Sequence, residues 1–349
     1  MGGAGGPGRV AAQEPAAPSR RPWWSPSFRT DPPSPRERLA ALPVDQVVER
    51  GYLLDVGSVG DRTLTVWLLC TRDTTSCRSA WRLLRGAEVV ATGRAVAGAP
   101  GPGVTASARG FVLDGPYQQP LVVGLDGTAT HAALGGPQPV TAGDVAEDGD
   151  AGWLVVDPAQ ARAWRLASPA GTEGVAQAVA AADGTLWALP GFAGPGRVEV
   201  ARLRGGAWTS HRVEDPASGT ETPGYLAVGG DHVATFTSHD GAGELPLGVF
   251  AVTTDGGSGW TALRRDQVPF DLVGSMAATS GGTLFVAHPD GRVWRSTDAT
   301  WTRFAPVTGI GQAGALRASG DVVLARAEGT DRVLRLADDG SATPLPRLR

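Results

Sequence analysis

Thr253-Thr254-Asp255-Gly256-Gly257-Ser258-Gly259-Trp260 reads as a strand end, a tight Asp-Gly-Gly turn and a tryptophan that opens the next strand. Asp-Gly is a strong short-range hairpin signal because both central residues of the favoured turn take positive φ. The Asp carboxylate accepts hydrogen bonds from backbone N–H groups of its own turn. The indole then covers a large apolar area at the hairpin base. A single antiparallel sheet cannot bury both of its faces, so the weight of this stretch depends on whether it recurs.

It recurs. Gly184-Thr185-Leu186-Trp187 and Gly282-Thr283-Leu284-Phe285 both enter an apolar run from a turn. Looser versions lie at 61–67, 109–113, 152–156, 231–236 and 320–324. These seven starts are spaced by about 43 residues, the length of a four-stranded propeller blade. A second half-motif follows most starts, as in Arg197 to Leu203 with Trp208, Gly248 to Thr253 with Trp260, and Arg292 to Ser296 with Trp301. Asp-Gly pairs at Asp114, Asp126, Asp148, Asp183, Asp240, Asp255, Asp290 and Asp339 punctuate the same pattern. The expected fold is all-β: a β-propeller of seven four-stranded antiparallel blades, six or eight being the alternatives, over residues 50–349. Radial stacking would bury the blade faces. Tyr52 to Val56 is the expected closing strand, pairing with the last blade near 334–345.

Thr253, Asp255, Gly257 and Trp260 together resemble the Asp-box of sialidase-like propellers. Ser296, Asp298 and Trp301 form a shortened version, and Thr71, Asp73 and Trp81 an irregular one in which Cys70 and Cys77 occupy the box position. The resemblance implies a structural role for these residues. Catalytic members of that family use an arginine triad, a tyrosine nucleophile primed by a glutamate, and an aspartate acid/base. Many also carry Arg-Ile-Pro near the N-terminus. This chain has no Arg-Ile-Pro and only Tyr52, Tyr117 and Tyr225. Tyr225, four residues after Glu221, is the catalytic pair the resemblance would suggest, against an ordinary loop tyrosine beside a Pro-Gly turn.

Composition removes other chemistry. All 31 Lys+Arg residues are Arg, Asn is missing, and Ile310 is the sole Ile, so no Schiff-base lysine, phosphate-loop lysine or Asn-linked glycan site exists. A net charge of −4 opposes general nucleic-acid binding, which needs a basic field. The histidines 131, 211, 232, 239 and 288 show no metal-ligand spacing. We therefore expect neither metal nor cofactor. The arginines at strand ends (Arg162, Arg165, Arg202, Arg204, Arg264, Arg265, Arg292, Arg295 and Arg303) read as a solvated rim.

Residues 1–49 form a Pro/Gly/Arg-rich segment, expected to be a disordered tether with Trp23-Trp24 as its one sticky feature and a short helix interrupted by Pro43. No run reaches the ~20 apolar residues of a membrane span, and no secretory h-region follows Met1. Cys70 and Cys77 flank a short loop between two apparent strands, which suggests a disulfide and hence an oxidising compartment, two reduced thiols being the alternative. The expectation is an exported monomer, secreted or in the cell envelope, whose targeting segment has been lost. Long Gly/Pro loops at 97–104, 114–120, 190–197, 214–224 and 238–247 offer a binding face. On them Tyr117, Gln118, Phe192, Tyr225, His239 and Glu244 are the candidate contacts. The functional expectation is a non-catalytic propeller that binds a glycan, peptide or envelope partner. A divergent sialidase-like hydrolase or lyase and a structural or assembly propeller are the alternatives.

Overall fold

The computed structural model describes residues 34–72, 74, 76–95, 103–113, 119–147, 152–169, 174–190, 197–214, 221–239, 247–327, 330–346 and 348–349. Two short helices come first. α1 (Pro35–Ala41) opens on a capping box: Ser34 Oγ takes the Glu37 N–H at 3.2 Å, and the Glu37 carboxylate takes the Ser34 N–H at 2.7 Å. Pro43 separates it from α2 (Val44–Arg50), standing at the N-cap where a missing N–H costs nothing. Val47 and Val48 of α2 are buried.

Strands follow in groups. Blade 1 holds β1 (Tyr52–Val59), β2 (Arg62–Cys70), β3 (Cys77–Arg85) and β4 (Glu88–Arg94). Blade 2 holds β5 (Val104–Ser107), β6 (Gly110–Leu113), β7 (Leu121–Val123) and β8 (Ala129–His131). β9 (Ala133–Leu134) crosses to blade 3 and becomes its outermost strand, beside β10 (Val145–Glu147), β11 (Leu154–Asp157) and β12 (Arg162–Arg165). Blade 4 holds β13 (Val175–Ala180), β14 (Leu186–Pro190), β15 (Arg197–Arg204) and β16 (Ala207–Glu214). In blade 5 the innermost strand is split into β17 (Glu221–Pro223) and β18 (Ala227–Gly229), both paired with β19 (His232–His239), and β20 (Leu247–Thr253) and β21 (Thr261–Arg264) follow. Blade 6 holds β22 (Ser275–Ala278), β23 (Leu284–Ala287), β24 (Val293–Ser296) and β25 (Phe304–Pro306). Blade 7 holds β26 (Ala313–Ser319), β27 (Val322–Ala327), β28 (Val333–Leu336) and β29 (Ala342–Pro344). The chain is a seven-bladed β-propeller. Each of the seven sequence starts lies at or just before the second strand of a blade.

Period-two alternation explains why the blades stack. In β14, Leu186 and Ala188 pack toward blade 3 while Trp187 and Leu189 pack toward blade 5. In β23, Leu284 and Val286 face blade 5 while Phe285 and Ala287 face blade 7. Seven apolar clusters result, one in each seam between neighbouring blades.

Two expectations are corrected. Tyr52 to Val56 pairs with β2 of its own blade, and the last blade is complete without it, so no shared strand closes the ring. Each end of the chain supplies a whole blade, and the last seam is held by side chains. Ser58 N–H donates to Ser319 Oγ and Ser319 Oγ to Ser58 O, both at 2.7 Å. Arg326 donates to the carbonyls of Leu53 and Leu54 at 3.0 and 2.6 Å. Arg349 lies 4.9 Å from the Trp67 ring centroid and donates to Glu49 O. The cysteine hairpin is also displaced from the box position. Cys70 faces Cys77 across the β2–β3 connection, whereas the Thr253 and Ser296 turns join third to fourth strands. Trp81 lies within β3, and Asp73 falls outside the described residues.

Blade 3 departs from the common plan. Its outer strand pairs in parallel with β12. The turn that opens β10 lies against the first-to-second-strand turns of blades 2 and 4, with Arg109 reaching Asp144 at 3.4 Å and Gly184 packed on Thr141. β10 therefore starts at the end of the ring where the inner strands of its neighbours finish.

Candidate functional site

Antiparallel alternation sends every second connection to the same end of the ring. Outside the reversed blade 3, one end carries the tight turns between first and second strands and between third and fourth. In the 253–260 turn, Thr253 Oγ1 donates to Asp255 Oδ1 at 2.8 Å, which also accepts the Gly259 N–H at 2.9 Å. The Gly257 N–H in turn donates to Thr253 Oγ1 at 3.0 Å. Those bonds, led by the Gly259 N–H, hold the Asp255 pKa below the ordinary carboxylate value. In the other turn, Asp298 Oδ1 accepts the N–H groups of Thr302 and Arg303, and Oδ2 accepts the hydroxyls of Thr300 and Thr302. Trp301 is fully buried and donates to Gly282 O, whereas Ser296 Oγ accepts the Leu284 N–H. These carboxylates are consumed within their own turns.

In those six blades the opposite end receives the connections between second and third strands and the departures to the next blade. All five long Gly/Pro stretches of the sequence join strands whose ends lie there: β4 to β5, β6 to β7, β14 to β15, β16 to β17 and β19 to β20. The Cys70–Cys77 disulfide sits at the same end. Tyr117, Gln118, Phe192 and Glu244 fall outside the described residues. Glu221 and His239 stand directly opposite each other in the β17–β19 register. Tyr225 projects from the break between β17 and β18, is half-exposed, and lies with its ring centroid 6.1 Å from Phe236. Gly224 explains this approach, since a Cβ there would stand 2.4 Å from the Phe236 ring.

Along the axis runs a cavity of about 730 Å³, within the range of small-molecule sites. Its wall is built from small side chains on the inner strands: Ala106, Ala146, Ala178, Ala227, Ala278 and Ala318, one from each of blades 2 to 7. Polar groups in the wall mostly stitch neighbouring strands together. Gln177 Oε1 accepts the Leu226 N–H at 2.6 Å. Asp55 of β1 ties two wall residues together, accepting the Val104 N–H at 2.9 Å and meeting Arg317 at 3.4 Å. Burial raises the Asp144 pKa, its largest effect, and nearby Asp157 adds to it. The Thr141 hydrogen bonds and Arg109 oppose this rise. Among the described residues no group of three His, Cys, Asp or Glu side chains is disposed to hold a metal.

The alanine-lined channel is a feature the sequence pattern does not flag. A single wall-facing Ala in each of six inner strands looks like ordinary strand composition until the strands are placed around one axis. His288 is likewise unremarkable in sequence. In the fold it is clamped between Asp271, 3.1 Å from Nε2, and Asp290, whose N–H donates to Nδ1.

No protein-family model matches the chain, and no curated protein does. Solved structures that are similar include the WD40 domain of Neurospora crassa Pan2, with a TM-score of 0.49, 10% identity, and coverage of 89% of this chain and 94% of that one. YCF48 bound to D1 peptide gives a TM-score of 0.48 at 11% identity over 79% of this chain and 90% of that one. BamB from Moraxella catarrhalis gives 0.41 at 11% identity over 78% and 92%. Likenesses this distant have no bearing on what the chain binds.

Proposed function

We propose that the protein is an exported, non-catalytic binding propeller whose loop-bearing end takes a glycan, peptide or envelope partner. The observation that carries this reading is that the strands flanking all five long Gly/Pro connections end, together with the disulfide, on one side of a ring braced by seven apolar seams. Rigid scaffolds with their long loops on one side are built for recognition. The disulfide supports an oxidising compartment.

The test is binding of the full chain to glycan and peptide arrays, repeated with Tyr225→Ala at the loop end and Thr300→Ala at the turn end. Binding that Tyr225→Ala weakens and Thr300→Ala leaves alone supports the reading. A wild-type chain that captures nothing, or loses its ligand only through the turn-end change, overturns it. Turnover of a fluorogenic sialoside, abolished by Tyr225→Phe, would replace the binding reading with the hydrolase one. Intact mass of protein from its native source, with and without reductant, checks export through leader removal and the Cys70–Cys77 bond.

A further inference from the structure

A second cavity, of about 470 Å³, opens between the outer strands of blades 1 and 2 at the loop-bearing end. Trp81, Thr92, Arg94, Leu121 and His131 line it. Trp81 is 3% exposed, and its indole lies flat across Gly93, its cross-strand partner. Any Cβ at position 93 would stand 2.4 Å from the ring. Trp81 lines the cleft, and its Nε1–H has no acceptor among the described residues. Arg94 is exposed there and has no carboxylate partner among the described residues. Arg78 stands close by. Its pKa is lowered by burial first and by the charge of Arg94 second. His131 Nδ1 lies 3.2 Å from Gln119 O. A carbonyl only accepts, so Nδ1 carries the proton and Nε2 is left available.

Among the described residues, the lining is rich in donors and includes no carboxylate. Its ligand must bring acceptors and negative charge. The outer edge of β4 is not open to an added strand, because the blade 2 turn at Gly127 presses on Ala91, where a Cβ at Gly127 would come within 2.5 Å. An extended peptide therefore has no edge to follow, and a compact, ring-sized ligand does fit. We propose that this inter-blade cleft binds a carboxylated sugar unit, with Arg94 meeting the carboxylate and the Trp81 N–H, Thr92 hydroxyl and His131 meeting ring oxygens.

This rests on the binding reading above and deepens it. The experiment is calorimetric titration of the full chain with trigalacturonate, using maltotriose as the neutral control and sodium sulfate as the bare anion. Arg94→Ala should weaken trigalacturonate by about tenfold or more, the value of a charge-assisted hydrogen bond. Trp81→Phe keeps an aromatic ring, removes the N–H, and should weaken binding by a smaller factor. Arg85→Ala, an exposed arginine at the far end of the same blade, should change nothing. Arg94 is a surface residue, so its variant folds even if Trp81→Phe does not. Maltotriose binding as well as trigalacturonate, sulfate competing as a complete ligand, no saturable trigalacturonate binding, or indifference to Arg94→Ala would each overturn the assignment. Tight, Arg94-dependent capture of a phosphopeptide in its place would do the same. If array ligands bind the loop end and survive Arg94→Ala, the cleft assignment falls and the binding reading stands.

Discussion

Asp298 shows how much of a turn can hang on one carboxylate. Four donors converge on it, two from backbone and two from hydroxyls. Asp298→Ala leaves them to water and should cost about 1–2 kcal/mol in denaturant unfolding. A loss below a few tenths would mean that buried Trp301, not the carboxylate, holds the turn. Gly257 makes a complementary case. It sits at φ +88°, and a Cβ there would meet His211 Nε2 and the Trp187 ring at 3.0 Å. Gly257→Ala should therefore destabilise by roughly 1–3 kcal/mol, through strain and crowding together. His211 itself carries a pH dependence. Burial, then the Arg202 charge, lowers its pKa, with Asp255 opposing. The unfolded chain takes up its proton near the ordinary histidine value of about 6.5, the folded chain only below that. Stability contributed by the neutral ring is thus complete above that pH and is lost as the pH falls through the folded value. The melting temperature should drop as the pH falls below the ordinary histidine value of about 6.5, and His211→Gln should flatten that drop. An unchanged slope in the variant would assign the dependence to other groups.

At the scale of the blade, what sequence shows and what it hides separate cleanly. The second strands are legible because each is entered from a turn and alternates apolar residues to both faces, as Leu186 to Leu189 do in β14. Those strands are buried on both sides, so their composition is constrained at every position. The outer strands β8 and β9 are exposed along their whole length and carry no such signature. The reversal of blade 3 is hidden for a related reason. Strands of three or four residues look the same read in either direction, and only the packing of Thr141 on Gly184 and of Arg109 on Asp144 discloses the sense. The cysteine pair is legible as a pair because the two positions are seven apart in sequence, across a hairpin. Its place in the blade is not, since Trp81 mimics the tryptophan that elsewhere follows a third-to-fourth-strand turn. That the strands flanking the long Gly/Pro stretches end on one side of the ring follows from strand parity alone. The inter-blade cleft does not, because Arg94 and His131 come from different blades. A loop this short confines the unfolded chain modestly, so reducing Cys70–Cys77 should cost about 2 kcal/mol. A shift in urea midpoint on adding reductant, absent in a Cys70→Ala/Cys77→Ala double variant, would show it.

For the whole ring, the seam between blades 7 and 1 decides whether the molecule behaves as one unit. Propeller seams 1 to 6 join blades that follow one another in the chain, so their closure entropy is small. The last seam joins segments 261 and 273 residues apart, as the Ser58–Ser319 and Arg326–Leu53 bonds show. With no strand shared across it, closure depends on burial and side-chain hydrogen bonds. One cluster there draws on three sources: Val47 and Val48 from α2, Trp67 and Leu84 from blade 1, and Leu324, Val333 and Leu348 from the last blade and the tail. The helix is thus a plug over the seam. Val47 is fully buried, and Val47→Ala should cost about 2 kcal/mol. Leu348→Ala, from the other end of the chain, should cost a similar amount. If the two residues close the same seam, the second substitution acts on an interface the first has already loosened. The double variant should then fall short of the sum by at least about 0.5 kcal/mol. Strict additivity in the double-mutant cycle would show two separate patches, and the polar pairs at Ser319 and Arg326 would then be the closure.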